Sequence, residues 1–188
     1  MSANPYIQGK RINLIGLSFE DLEYLEDYSN NESITKYMMM GTFPNCGCIY
    51  CSDENIYKEY TRYKESEDII FCIRLKDKMI GLVGLYDFNW IARNAELRIV
   101  IGDTKYLSKG YGREAVNLIL NYGFNKLNLH KIRLGCNASD ERANRCYINC
   151  GFILEGVTRD YHFRNGEYYN ANMYSILDKE WRKNEKKD

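Results

Sequence analysis

The sequence lacks both a long apolar run and an excess of charge of one sign. Its 188 residues contain 26 Lys and Arg against 26 Asp and Glu, so no overall field favours nucleic acid or an acidic membrane. No apolar stretch approaches the roughly 20 residues that cross a bilayer, and Met1 to Pro5 lack the apolar region of a signal peptide. We therefore expect a cytoplasmic protein, with no nucleic-acid or membrane partner, that binds any anionic ligand at a local site.

Cysteine is abundant, but its spacing does not make a complete metal site. The seven cysteines are expected to be reduced thiols rather than disulfides in a cytoplasmic chain. Cys46, Cys48 and Cys51 lie close together, yet a structural zinc site needs four ligands and no second pair follows. We predict a flexible loop and no metal there, the alternative being a zinc site completed by His130 or His162. Core packing is predicted for the others, which are Cys72, Cys136, Cys146 and Cys150.

Strand-like and helix-like segments alternate along the chain. Strands are predicted at residues 11–17, 69–75, 79–86, 96–101, 131–136, 152–161 and 168–177. Helices are predicted after Ser18, where a capping box with Asp21 begins, after Ser52, from near Arg113 to Leu127, and at residues 140–150. Asn165-Gly166 predicts a tight hairpin between the last two strands. We interpret residues 1–188 as one α+β domain, with a charged tail from about residue 179.

Residues 108–114, Ser-Lys-Gly-Tyr-Gly-Arg-Glu, lie between a predicted strand and a predicted helix. A glycine-containing turn that opens a helix directs free backbone N–H groups and the positive end of the helix dipole at one point. This is a natural site for a diphosphate. Gly110 and Gly112 would allow close approach or positive φ, and Lys109 and Arg113 would add charge. The alternative is a surface turn that only begins a helix.

Several linked motifs resemble the GNAT superfamily of acetyl-CoA-dependent N-acetyltransferases. They are Ala95-Glu96-Leu97, Ser108-Lys109-Gly110-Tyr111-Gly112-Arg113-Glu114-Ala115, Tyr122-Gly123-Phe124, Glu141-Arg142-Ala143, Cys146-Tyr147 and Gly151-Phe152. The chain is most similar to the branch that holds protein N-terminal acetyltransferases of the RimJ/RimL kind, polyamine acetyltransferases and amino-sugar acetyltransferases.

The resemblance implies a twisted, mostly antiparallel sheet of about six to seven strands, flanked by about four helices. One parallel pair of strands splays apart, and the pantetheine arm of acetyl-CoA, the cosubstrate, lies in the V between them. The cofactor-binding residues implied are Ile99, Val100, Ile101, Leu107, Ser108, Lys109, Gly110, Tyr111, Gly112, Arg113 and Asp140. Leu107 replaces the family's usual polar residue, so backbone amides are expected to bind the pyrophosphate. Asp140 replaces a usual Asn, so Asn137 or Asn144 is a candidate substitute.

The catalytic residues implied by the resemblance are Tyr147 and Glu96. A tyrosine stays protonated at neutral pH and can protonate the CoA thiolate as it leaves. Glu96 would deprotonate the attacking amine, the alternative being a chain of waters. Direct transfer needs no nucleophile, although a Cys–His pair that uses His130 stays open. Tyr147 could also be a packing residue.

The sequence does not choose the acceptor. The resemblance implies a primary amine on a protein N-terminus, a polyamine, an amino sugar or another small molecule. The pocket is expected to involve residues 38–51 and 161–169, with Asp87, Glu155 or Glu167 available to attract a cationic amine. A non-catalytic CoA-binding or metal-binding regulatory domain is the alternative function. A homodimer is left open.

Overall fold

The computed structural model describes residues 6–38 and 53–185. In these residues the strands are β1 Ile7–Gln8, β2 Asn13–Gly16, β3 Ile69–Leu75, β4 Lys78–Asn89, β5 Asn94–Ile101, β6 Lys131–Asn137, β7 Ile153–Arg164 and β8 Glu167–Leu177. The helices are α1 Leu22–Ser29, α2 Glu32–Thr35, α3 Asp53–Glu65, α4 Tyr111–Asn125, α5 Glu141–Asn149 and α6 Asp178–Glu185. None of these helices is long and apolar enough to span a membrane.

The strands form one eight-stranded sheet in the order β1-β2-β3-β4-β5-β6-β8-β7. Every neighbouring pair is antiparallel except β5 and β6, which are parallel. The β7–β8 hairpin turns at Asn165 and Gly166, whose φ angles are +52° and +84°, as the Asn-Gly pair predicts. The mixed α+β class and the single parallel pair of the prediction are confirmed.

The sheet has a hydrophobic core on each face, because its strands alternate in side-chain direction. In β3, Ile70 and Cys72 face one core, which includes Leu25 of α1 and Ile56 of α3. Phe71 and Ile73 face the other core, which includes most of the buried face of α4 together with residues of α5 and α6. The second core holds α4 and α5 firmly against the strands that border the candidate site.

The structure adds three elements that the sequence pattern did not predict. Strand β1 and helix α2 are too short for a periodic pattern. The segment predicted as a charged tail is instead helix α6, and its Trp181 is buried with its ring centroid 5.4 Å from that of Phe124. The capping box at Ser18 and Asp21 is present. Cys46, Cys48 and Cys51 lie outside the described residues.

Candidate functional site

A cavity of about 670 Å³ opens where β5 and β6 separate. The two strands pair only from Asn94 with Lys131 to Glu96 with Arg133. Strand β5 nevertheless continues to Ile101, and β6 continues to Asn137. The splayed parallel pair is therefore present, and beyond Glu96 the edge of β5 that faces β6 has no partner strand in its ladder. Its backbone N–H and C=O groups are free to bind another molecule.

Twelve of the predicted site residues line this cavity. They are Glu96, Ile99, Val100 and Ile101 from β5, Leu107, Ser108, Gly110, Gly112 and Arg113 from the glycine loop and α4, and Asn137, Asp140 and Tyr147 from β6 and α5. Lys109, Tyr111 and Asn144 are not among the lining residues. Strand β5 and the glycine loop that follows it therefore meet the more distant β6–α5 segment around one space.

The glycine loop has the geometry of an anion site. Ser108 and Gly110 have φ angles of +57° and +83°, and α4 begins immediately after Gly110. The Glu114 N–H donates to the Gly110 carbonyl, so the three N–H groups before it have no acceptor within the helix. A Cβ on Gly112 would meet nothing closer than Ile101 Cγ1 at 3.8 Å. Of the two roles expected for these glycines, Gly110 therefore has the positive φ, and Gly112 leaves open space where a ligand could approach the backbone closely.

Two arginines that the sequence did not predict as site residues lie beside the loop, although Arg142 belongs to the Glu141-Arg142-Ala143 motif. Arg142 and Arg145 of α5 line the cavity together with Arg113. Their guanidinium groups make only long ion pairs, of 3.7 Å from Arg142 to Asp140 and 3.9 Å from Arg145 to Glu141. Basic residues at positions two and five of an exposed helix carry no signal in the sequence, since the same pattern describes an ordinary solvated face.

Asn144 has a structural position. Its Nδ2 donates to the carbonyls of Asn137 and Asp140 at 2.9 and 2.7 Å. Its Oδ1 accepts from Asn172 Nδ2 and from the Tyr174 hydroxyl, each at 2.8 Å. Both ends of the amide are therefore engaged within the protein, and Asn144 is not a lining residue of the cavity.

Asp140 and Asn137 border the cavity but are held by local hydrogen bonds. Asp140 caps α5, because its Oδ1 accepts the Ala143 N–H at 3.1 Å. Asn137 Oδ1 accepts from the backbone N–H and the hydroxyl of Ser139. The Asn137 Nδ2 lies 3.3 Å from His162 Nε2. The carboxylate of Asp140 thus replaces asparagine without loss of the cap, since capping needs only an acceptor.

Tyr147 lies at the base of the cavity on α5. Its side chain is 8% exposed and packs against Phe152 and Tyr174, at ring-centroid distances of 6.0 and 6.3 Å. No described residue hydrogen-bonds to its hydroxyl. Burial, followed by the neighbouring Cys136 thiol, raises the pKa of Tyr147 well above its ordinary value. The hydroxyl is therefore protonated at neutral pH and free to donate.

The other end of the cavity is lined by two carboxylates and the Arg98 guanidinium group, and Arg133 lies close to both carboxylates. Arg98 donates to Glu96 at 2.8 Å and to Asp87 at 2.7 Å. Arg133 lies 3.6 Å from Glu96 and 3.9 Å from Asp87. Asp87 has a φ of +48°, in an irregular stretch of the β4–β5 ladder. Strained backbone of this kind tends to occur at functional sites.

Of the three acidic residues predicted for the acceptor pocket, only Asp87 lines the cavity. Glu155 accepts from Lys131 at 2.6 Å and from the Ser175 hydroxyl at 2.8 Å, and Glu167 accepts from the Tyr169 hydroxyl at 3.0 Å. Neither is a lining residue of this cavity, so Asp87 is the one of the three that the structure places beside it. Met38 and Tyr161 do line the cavity, while most of the predicted 38–51 pocket segment lies outside the described residues.

The cysteines near the site differ in environment. Cys72, Cys136 and Cys150 are buried, as predicted, whereas Cys146 is only half-buried. Cys136 and Cys146 both line the cavity. The Cys150 thiol lowers the pKa of Cys146 against the opposing effect of burial, with help from nearby Arg113 and Arg142. His130 is not a lining residue, and its backbone bonds to Arg93 and Asp178. Within residues 6–38 and 53–185 no group of three potential ligands is arranged to bind a metal ion.

Comparison with known proteins identifies the fold and its relatives. Residues 11–153 match the family model described as an acetyltransferase (GNAT) domain. The spermidine N(1)-acetyltransferase of Escherichia coli K12 is 32% identical over 163 residues, which cover 85% of this chain and 82% of that protein.

Two solved structures of spermidine N-acetyltransferase from Vibrio cholerae are similar throughout. The complex with CoA and spermine has a TM-score of 0.81 and 29% identity, and the match covers 92% of this chain and 98% of that one. A dodecameric structure in an intermediate state has a TM-score of 0.77 and 29% identity, with 91% and 96% covered.

Proposed function

The chain belongs to the GNAT acetyltransferase family and transfers an acetyl group to an amine, and we propose that its donor is acetyl-CoA and its acceptor a polyamine of the spermidine type. The observation that carries the proposal is the cavity between the splayed strands. It has a glycine loop and helix N-terminus at one end, an unpartnered tyrosine hydroxyl at its base, and carboxylates at the other end. These groups match a diphosphate, a thioester sulfur and a cationic amine in turn.

Backbone groups account for most of the proposed acetyl-CoA binding. The free edge of β5 at Ile99 to Ile101 would hydrogen-bond the amides of pantetheine. The N–H groups at the start of α4 would bind the pyrophosphate, where the dipole of the helix favours negative charge. Arg113, Arg142 and Arg145 are the cations available to the remaining phosphate. The long ion pairs of Arg142 and Arg145 leave these two side chains free to turn toward it.

We assign the acid step to Tyr147. The amine nitrogen attacks the thioester carbonyl carbon, the C–S bond breaks, and the leaving thiolate takes the hydroxyl proton of Tyr147. Burial keeps that proton on Tyr147 in the resting enzyme, and the CoA sulfur becomes its acceptor only when it gains negative charge as the C–S bond breaks. Retention of this tyrosine in the cavity supports an enzyme over a non-catalytic regulatory domain.

Glu96 is the proposed base, and its position imposes a condition. Arg98 and Arg133 both contact its carboxylate, so these contacts must loosen when the carboxylate accepts a proton from the ammonium group of the acceptor. Asp87 shares the same two arginines and lies at the cavity rim. A polycation that approaches this rim would compete with the arginines for both carboxylates, which favours a polyamine over an anionic sugar nucleotide.

We also propose that the chain forms a homo-oligomer, a homodimer at the least, through strand β7. This strand is one of the two edge strands of the described sheet, the other being the two-residue β1, and its Ile153, Val157 and Phe163 are each more than half exposed. Exposed, apolar edge strands are ready to pair with another chain. The dodecameric relative supports an assembly. We further propose that residues 1–188 form a single cytoplasmic domain. The packing of α6 against the core supports one domain.

Thiol release from acetyl-CoA tests the proposed function. We would measure it with spermidine, spermine, an amino-sugar nucleotide and an N-terminal peptide, and compare wild type with Tyr147→Phe. We expect turnover with the polyamines and a loss of at least about 100-fold in kcat for the variant, with little change in the KM of acetyl-CoA. Turnover with the peptide or the sugar nucleotide alone would contradict the polyamine assignment, and an unchanged kcat would contradict the role of Tyr147.

A further inference from the structure

An arginine outside the cavity holds the glycine loop in place. Arg11 lies in the turn between β1 and β2, far from the loop in sequence. Its backbone N–H and its Nε donate to the Glu114 carboxylate at 2.7 and 2.8 Å. Its Nη1 donates to the Lys109 carbonyl at 2.9 Å, and its guanidinium carbon lies 4.9 Å from the centroid of the Tyr111 ring. One side chain therefore connects the start of the loop to the first turn of α4.

The turn that carries Arg11 is shaped to receive Glu114. A Cβ on Gly9 would lie 2.9 Å from Glu114 Oε1 and 2.5 Å from the Ile12 carbonyl oxygen, so any larger residue would displace the carboxylate. Burial acts to raise the pKa of Glu114, but the hydrogen bonds from Arg11 and Ile12 outweigh it and the pKa is lowered. The carboxylate is therefore ionised at neutral pH and pairs fully with Arg11.

The loop needs such support because its backbone is strained. Ser108 adopts a left-handed φ of +57° without the freedom of glycine, and Gly110 adopts +83°. Residues in this region persist only where their surroundings hold them. The Lys109 carbonyl, which Arg11 contacts, belongs to the residue between these two. Release of that carbonyl would let the loop relax and misalign the N–H groups at the start of α4.

We propose that Arg11 is a positioning residue for the pyrophosphate of the donor, acting through Lys109 and Glu114 rather than by contact with the substrate. This inference rests on the proposed function, in which the glycine loop binds acetyl-CoA. It predicts that the Arg11 side chain matters only for donors that carry a pyrophosphate. The distinction separates loop positioning from a general contribution to folding.

Two donors test the inference. Acetyl-CoA carries the pyrophosphate, and S-acetylpantetheine has the same thioester and pantetheine arm without it. With spermidine as acceptor, we expect Arg11→Ala to lower kcat/KM about tenfold for acetyl-CoA, mainly through KM, which corresponds to about 1.4 kcal/mol. For S-acetylpantetheine, kcat/KM should stay within about twofold. Arg11→Lys should recover part of the loss, because lysine keeps the charge but not the fork geometry.

Matched variants sharpen the result. Gly9→Ala should reproduce the donor-dependent loss, whereas Lys10→Ala, at the exposed neighbouring position, should change neither donor. An equal loss with both donors, or no loss with acetyl-CoA, would overturn the inference. If wild type binds CoA in calorimetry but acetylates no amine, the proposed function fails. The inference is then decided by whether Arg11→Ala weakens CoA more than pantetheine.

Discussion

Replacement of Asn144 by alanine should destabilise the protein without a specific effect on acetyl-CoA. The side chain makes four hydrogen bonds between 2.7 and 2.9 Å, to Asn137, Asp140, Asn172 and Tyr174. Each bond contributes about 0.5–1.5 kcal/mol net. The Asn137 and Asp140 carbonyls also accept backbone N–H groups, so they keep a partner in the variant and the sum is smaller. We therefore expect the free energy of unfolding to fall by about 3 kcal/mol. The Tyr174 hydroxyl, buried and left without an acceptor, accounts for much of it.

Thermal unfolding measures this loss directly. For a chain of this length, about 3 kcal/mol corresponds to a fall in Tm of about 6 to 12 °C. Tyr174→Phe removes the same hydroxyl with little change in shape, so Asn144→Ala in that background should cost less than in wild type. A variant that melts within about 2 °C of wild type but binds acetyl-CoA more weakly would refute the reasoning and restore Asn144 as a cofactor contact.

Three further predictions concern charge and protonation. Cys146 should react with iodoacetamide faster than Cys136 or Cys150, since its pKa is lowered while burial raises that of Cys136 to about 12. Acetyl-CoA should protect Cys146 from labelling, which mass spectrometry would follow at each cysteine. Equal labelling of the three cysteines would contradict the prediction. Asp87→Asn should raise the KM of spermidine about threefold to fivefold in low salt and leave that of acetyl-CoA unchanged; a change in the donor KM instead would exclude an acceptor role. Burial and then Arg164 lower the pKa of His162, so His162 takes up a proton more readily in the unfolded chain, and the free energy of unfolding should fall as the pH drops from 7 to 5. Urea unfolding should show a smaller fall for His162→Gln than for wild type. An equal dependence on pH in both proteins would rule His162 out as the cause.

The sequence predicts the fold well where its patterns are long. The seven predicted strands and the four predicted helices are recovered, because each spans enough residues to display a period, and the Asn165-Gly166 hairpin is present as well. The prediction of a charged tail around Trp181 is wrong for an informative reason. Its segment is dominated by charged residues, and only the contact with Phe124, far away in the chain, makes one face of α6 part of the core.

The candidate site is predicted in part for a similar reason. Tyr147 and the loop around Gly110 belong to linked motifs, and both line the cavity. Arg142 and Arg145 also line the cavity but were not predicted as contacts, since nothing in a charged helix distinguishes a side chain that borders a cavity from one that faces solvent. Arg11 could not be found at all, because its role depends on a contact with Glu114 across the sheet edge.

The early end of the β5–β6 ladder has a consequence for how the family diversifies. Main-chain amides are the same whatever side chains a strand carries, so a donor site made by parting two strands places little demand on sequence. Substitutions in β5 can therefore change the contacts of its side chains without loss of donor binding. Residues at the rim, such as Asp87, remain free to follow a new acceptor. One donor and many acceptors are what a groove of this construction permits.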